Sequence, residues 1–199
     1  MMKVSNLDLP SGAEFKQTNA RMNNGMPTII RDVNVQDVGD IGRIYGHYVL
    51  NGLSSFELSP PDEGEIRSRM ERIKERGHPF LAAETDGVIS GYAYASTYRQ
   101  RAAYDYTLEN SVYVSPNYLR QGIGVRLLSD LFQVCDQLGI RQLIAVIGDS
   151  DNHASINLHA RCGFKQVGLL PSTGYKHDRW VDTVLMQRWI GEGDSEPPH

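Results

Sequence analysis

One stretch constrains this chain more than any other. Ser111-Val112-Tyr113-Val114-Ser115-Pro116 runs into Leu119-Arg120-Gln121-Gly122-Ile123-Gly124, and an amphipathic helical pattern follows at once. The spacing predicts a strand, a tight glycine turn and a helix. Glycine tolerates positive φ and carries no Cβ, so two of them let the backbone curl sharply. The first amides of a helix have no intrahelical acceptor and point out of its N-terminus. The helix dipole adds partial positive charge there. Such a junction can cradle a phosphate or diphosphate, and Arg120 stands where it can add a full positive charge. A plain tight turn would use the same glycines. The neighbours Glu109, upstream on the same strand, and Asn152, Asn157 and His159, downstream on a short helix, give the junction a chemical context.

Bulk properties restrict the partners. The 199 residues suit one domain with an ordinary core. A formal charge of −4 offers no basic surplus, so neither nucleic acid nor an anionic membrane is an expected partner. No apolar run approaches the length of a membrane span. Residues 1–27 are polar and Asn-rich without a hydrophobic signal core. They read as a flexible N-terminal extension, residues 28–190 as the functional domain, and residues 191–199 as a flexible tail. Cys135 and Cys162 fall within helical patterns and read as small buried side chains in a reducing, cytoplasmic compartment. No histidine or cysteine spacing suggests a metal, so none is expected.

The periodicities order the chain. A strand is predicted near Thr28–Arg31. Helices follow over Val35–Leu50 and Asp62–Arg76, the first with Val38, Ile41, Ile44, Tyr45 and Tyr48 at helical spacing. Pro79–Glu84 and Val88–Thr97 form a hairpin across Asp86-Gly87. A loop carrying Arg99 and Arg101 leads to a strand over Tyr106–Val114. A helix follows over Gly122–Leu138, then an almost wholly apolar strand over Gln142–Ile147, read as central and buried on both faces. A short helix over Asn152–Cys162 and two late strands, near Lys165–Leu170 and Thr183–Trp189, complete the order. The expected fold is α/β, a three-layer α/β/α domain. Its central sheet is mixed and mostly antiparallel, with helices on both faces.

These motifs, in this order, resemble the GNAT superfamily of N-acetyltransferases, within it the phosphinothricin and methionine sulfoximine acetyltransferase branch. The resemblance rests on Ile44-Tyr45-Gly46-His47, Glu109 through Pro116, Gly122-Ile123-Gly124, Asn152 through Gly163-Phe164, and Gly174-Tyr175-Lys176 with Arg179-Trp180-Val181-Asp182. It covers about residues 28–188. It implies acetyl-CoA as donor, with Arg120, Gln121, Gly122, Ile123, Gly124 and Val125 holding the diphosphate chiefly through main-chain amides. Val112, Tyr113 and Val114 would run beside the pantetheine arm, and Asn152 would face it. The superfamily usually places Gln or Arg where this chain has Leu119. Relatives are commonly dimers, so a homodimer is implied, with Trp180 and the late strands as interface candidates.

Acetyl transfer needs a neutral amine. A free α-amino group has a pKa near ~8, so a base has modest work to do. Glu109, on the strand beside the implied thioester site, is the candidate base; a strand glutamate can also simply face solvent or pair with arginine. His159 falls where relatives carry a proton donor for the departing thiolate, though a packed, inert helix histidine fits the sequence equally. Arg99, Gln100 and Arg101 precede this strand, and an arginine fork suits an anionic group on the acceptor. Asn110, Ser111 and Phe56 are candidates to shape the acceptor side. The resemblance implies acetyl transfer to the amine of a small amino-acid-like molecule of the phosphinothricin, methionine sulfone or sulfoximine type, with which an arginine fork agrees. Another amine, such as a polyamine or a protein N-terminus, and a non-catalytic acyl-CoA sensor remain as alternatives.

Overall fold

A computed structural model describes residues 21–23 and 26–198. Eight strands form one sheet in the order β1-β2-β3-β4-β5-β6-β8-β7. They are β1 (Arg21–Asn23), β2 (Met26–Asp32), β3 (Phe80–Thr85), β4 (Val88–Thr97), β5 (Thr107–Val114), β6 (Gln142–Gly148), β7 (Lys165–Lys176) and β8 (Arg179–Trp189). Every pairing is antiparallel except β5 with β6. Four α-helices cover the sheet: α1 (Val38–Asn51), α2 (Glu63–Glu75), α3 (Ile123–Gln137) and α4 (His153–Arg161).

Strand alternation separates two cores. Leu81, Ala83, Ala93, Ala95 and Leu108 face α3, whose Ile123, Leu127, Leu128, Leu131 and Cys135 recur at helical spacing. The intervening Phe80, Ala82 and Tyr92 face α1 and α2, meeting Ile41, Ile44, Tyr45, Val49, Ile66 and Met70. This is the expected three-layer arrangement. On the α1 side five tyrosines, Tyr45, Tyr48, Tyr92, Tyr94 and Tyr113, pack ring against ring. Among the described residues no helix is long and apolar enough to cross a membrane.

Several boundaries differ from the sequence reading. Of the expected N-terminal extension, residues 1–20 and 24–25 lie outside the described residues, while 21–23 and 26–27 are already strand. The first helix begins with a 3-10 turn, Val35–Asp37, closed by a capping box between Asn34 and Asp37. Asp37 is buried because it pairs with the Arg31 guanidinium, which also binds Glu84; this ties the helix start to the sheet.

The last two strands are longer than predicted. They form one hairpin turned by His177 and Asp178, both at positive φ. Two residues in that conformation make a tight hairpin turn without glycine. β7 lies at the sheet edge and exposes Val167, Leu169, Leu170 and Tyr175, with Trp180 of β8 65% exposed beside it. β6 is central as expected but not buried throughout: Val146 is exposed. Among the described residues no regular element follows Trp189, and residues 191–198 turn back on themselves through Gly193 and Ser195.

Candidate active site

The parallel pairing of β5 with β6 is short. It runs from Thr107 with Gln142 to Asn110 with Ala145 and stops. Beyond it β5 continues to Val114 against β4 alone, and β6 continues to Gly148 against β8 alone. The two strands part, and a cavity of about 920 Å³ occupies the gap. A strand without a neighbour leaves main-chain groups unpaired along that edge. One of these acceptors is already used, since the Tyr48 hydroxyl donates to the Val114 carbonyl at 2.6 Å.

The mouth of the cavity is the predicted junction. A 3-10 turn, Pro116–Tyr118, leads into it, and Arg120 and Gly122 both adopt positive φ, +60° and +79°. A non-glycine residue at positive φ is strained, and such strain accumulates where a loop must present its amides. The first backbone bond closing helix α3 runs from the Arg126 amide to the Gly122 carbonyl, 3.1 Å. The amides of Ile123, Gly124 and Val125 before it have no intrahelical acceptor. No side chain caps them, because the N-cap is Gly122. This cradle, opening on the cavity, fits the diphosphate of coenzyme A.

The two glycines do different work. A Cβ at Gly122 would meet nothing within 4 Å, so glycine serves the backbone conformation there. A Cβ at Gly124 would lie 3.0 Å from the Leu158 side chain, so glycine serves the close approach of α3 to α4.

Most of the expected cofactor residues line the cavity: Val112, Tyr113, Val114, Arg120, Gly122, Ile123, Gly124, Val125 and Asn152. Gln121 does not. Leu119 lines it too, an apolar side chain 51% exposed beside the amide cradle. Asn152 also caps α4, its side chain accepting from the Ser155 amide at 3.2 Å. Sequence reading missed Tyr48 and Ser54, which reach the cavity from α1 and the loop after it, and Asn157, to which no role was assigned.

The expected acceptor residues divide. Glu109, Ser111 and Tyr113 alternate onto the α1 face of β5, where Tyr113 joins the tyrosine cluster. Burial raises the Glu109 pKa, and the positive charge of Arg99 opposes the rise. Glu109 has no hydrogen-bond or salt-bridge partner among the described residues, a state that marks candidate acids and bases. Arg99 stacks its guanidinium over Tyr98, 5.1 Å from the ring centre, and Gln100 and Arg101 are exposed. The Tyr94 hydroxyl lies beside Ser111 and Glu109.

Phe56 does not line the cavity. Its ring fills a notch over Gly174, where a Cβ would come within 2.5 Å of it. The adjoining loop is pinned by residues the sequence reading did not connect. The buried Lys176 amine donates to the Ser55 carbonyl at 2.7 Å. Tyr45 binds both Ser55 and Glu57, and Arg69 pairs with Glu57.

Asn110 and His159 depart from expectation. Asn110 points to the opposite face of β5 from Glu109, the α4 side, because successive strand residues alternate. It lines the cavity together with Ser111, while Glu109 does not. His159 is 3% exposed and both ring nitrogens are engaged: Nδ1 with the Ser155 carbonyl at 2.9 Å, Nε2 with Asn110 Nδ2 at 3.0 Å. Burial lowers its pKa, so the ring is held neutral. In this arrangement it has no free N–H to give a departing thiolate.

Comparisons with known proteins agree with this geometry. The model of the acetyltransferase (GNAT) family matches residues 47–164. Phosphinothricin N-acetyltransferase of Alcaligenes faecalis is 50% identical over 169 residues, 85% of this chain and 86% of that protein. The L-methionine sulfoximine/L-methionine sulfone acetyltransferase of Salmonella typhimurium is 34% identical, over 82% of this chain and 95% of that protein. The crystal structure of a GNAT superfamily phosphinothricin acetyltransferase from Sinorhizobium meliloti in complex with acetyl-CoA superposes with a TM-score of 0.84. It is 43% identical and covers 86% of this chain and 93% of that one. The cleft between parted strands and the amide cradle at its mouth thus belong to a GNAT acetyltransferase, the family of which this chain is a member.

Proposed function

We propose that this chain transfers the acetyl group of acetyl-CoA to the amine of a small amino-acid-like acceptor carrying a phosphinate, sulfone or sulfoximine group. The observation that carries the reading is the cleft that opens after Asn110, with an amide cradle at its mouth and an unpaired carboxylate, Glu109, beside its inner end. The activities of the relatives, phosphinothricin and methionine sulfoximine acetylation, support the acceptor class.

Bound acetyl-CoA supplies an acetyl group activated as a thioester. The residues do the rest. The Ile123, Gly124 and Val125 amides hold the diphosphate, with Arg120 at the rim. The free edge of β5 from Val112 to Val114 aligns the pantetheine arm, so the thioester comes to rest near Ser111. Glu109, two residues upstream on the same face, receives the proton of the incoming ammonium. The nitrogen, now neutral, attacks the thioester carbonyl carbon; the N–C bond forms as the C–S bond breaks, and coenzyme A leaves with the bonding pair as thiolate and takes up the second proton that the nitrogen sheds. Arg99, close enough for its charge to act on Glu109, meets the acceptor's anionic group, with Arg101 beyond it on the same loop. An anion clamp of this kind favours an amino-acid-like acceptor over a polyamine.

The exposed apolar side chains of β7 and Trp180 support the homodimer expected from the resemblance. A second copy of this chain is the occupant that the edge strand suits. Equilibrium sedimentation should give twice the chain mass, and Trp180→Glu should return monomers; a wild-type monomer at micromolar concentration contradicts the assignment.

Glu109→Gln should lower kcat at neutral pH by roughly 10²-fold and leave the dissociation constant for coenzyme A unchanged. A rate equal to wild type removes Glu109 as base. The pH profile gives an independent check. A base must be ionised to act, so kcat/KM should rise with pH through a Glu109 pKa lying above the ordinary glutamate value. The Arg99 charge holds that pKa down. Arg99→Gln should therefore move the acid limb to higher pH and raise the acceptor KM more than it lowers kcat. An unmoved limb would separate Arg99 from the base.

A further inference from the structure

Glu109 and the cleft are joined by one residue. Glu109 projects toward α1 and does not line the cavity; Ser111, on the same face of β5, does. Ser111 is half-buried and not sealed in the interior. Residues two apart on a strand are separated by about 7 Å. A nitrogen about 3 Å from each side chain, the ordinary hydrogen-bond distance, fits between them. An amine that has reached Glu109 therefore meets Ser111 before it meets the thioester.

Acetyl transfer to an ammonium releases two protons from the nitrogen. Glu109 takes the first, before attack. The second comes off once the N–C bond has formed, and the departing sulfur needs one. The nitrogen arrives from the Glu109 side, and the sulfur lies in the cleft. His159, expected to serve the sulfur, is occupied by the Ser155 carbonyl and the Asn110 amide. The Tyr48 hydroxyl donates to the Val114 carbonyl. Tyr113, further along the same face, packs its ring among Tyr45, Tyr48 and Tyr92. Ser111 is left at the crossing. A serine hydroxyl has one proton and two lone pairs. Tyr94, opposite it on β4, has its hydroxyl beside Ser111. A tyrosine donating into one lone pair leaves the other lone pair and the proton for the reaction.

We propose that Ser111 is a catalytic residue that carries the second proton: its Oγ accepts the proton of the nitrogen and gives its own to the sulfur as the C–S bond breaks. The two transfers run together, because a free serine alkoxide is too basic to form at neutral pH. The hydroxyl is restored in the same step, and no charge stays on it. The inference rests on the reading of the cleft as the acetyl-CoA site and of Glu109 as the base.

Single-turnover rates with phosphinothricin as acceptor and two donors test this. One donor is acetyl-CoA; in the other, selenium replaces the thioester sulfur. A selenolate is a weaker base than a thiolate and departs without a proton. Ser111→Ala should slow the step roughly 10²-fold with acetyl-CoA and leave the dissociation constant for coenzyme A unchanged. It should slow the selenium donor little. Ser111→Thr keeps the hydroxyl and should run near the wild-type rate. Glu109→Gln should be slow with both donors, since its proton comes off before attack. A residue that only shaped the wall would slow both donors alike when changed. Equal losses for the two donors in Ser111→Ala, no loss at all, or a threonine variant as slow as the alanine one would each overturn the proposal. Wild-type protein that acetylates no amine would overturn the reading on which the proposal rests, and not the assignment of Ser111 alone.

Discussion

The separation of two parallel strands governs this site. β5 and β6 pair from Thr107 and Gln142 only as far as Asn110 and Ala145, and past that point each is committed on its other side, β5 to β4 and β6 to β8. A sheet opened in this way has main-chain donors and acceptors without partners in its middle, where they would ordinarily be expensive. A ligand with amides of its own can satisfy them. The exposed Val146 in an otherwise buried strand and the Tyr48 hydroxyl on the Val114 carbonyl follow from the same opening.

The opening also divides the chemistry between two faces. Alternation along β5 sends Leu108, Asn110 and Val112 toward α3 and α4, and Glu109, Ser111 and Tyr113 toward α1. The carboxylate proposed as base and the imidazole once expected as acid therefore project from opposite sides of the sheet. The tyrosine-rich α1 side is where an acceptor can reach Glu109; its loop is fastened by Lys176, Tyr45, Glu57 and Arg69. On the α4 side the Ser155 carbonyl meets His159 Nδ1, and His159 Nε2 meets the Asn110 amide.

Much of this was legible in the sequence, and what was not has physical reasons. The strand, turn and helix around Gly122 follow from local chemistry, as does the three-layer order from periodicity. The separate purposes of Gly122 and Gly124 do not, because the atom that forbids a side chain at Gly124 belongs to Leu158 on another helix. The His177-Asp178 turn was missed because it uses positive φ without the glycine that usually announces it. Phe56 was placed at the acceptor wall, yet its ring packs on Gly174, a contact between distant segments. Asn110 is the instructive case. Period-two alternation already separated it from Glu109, so the signal was present in the sequence; the consequence became visible only with His159 across from it.

The central claim is that the unpaired amides at the start of α3 hold a diphosphate. Amide-resolved NMR during titration with coenzyme A tests it most directly. The account predicts that the Ile123, Gly124 and Val125 amide protons shift strongly downfield as they gain an anionic acceptor, saturating with the binding curve. Binding that leaves these three amides unmoved would contradict it.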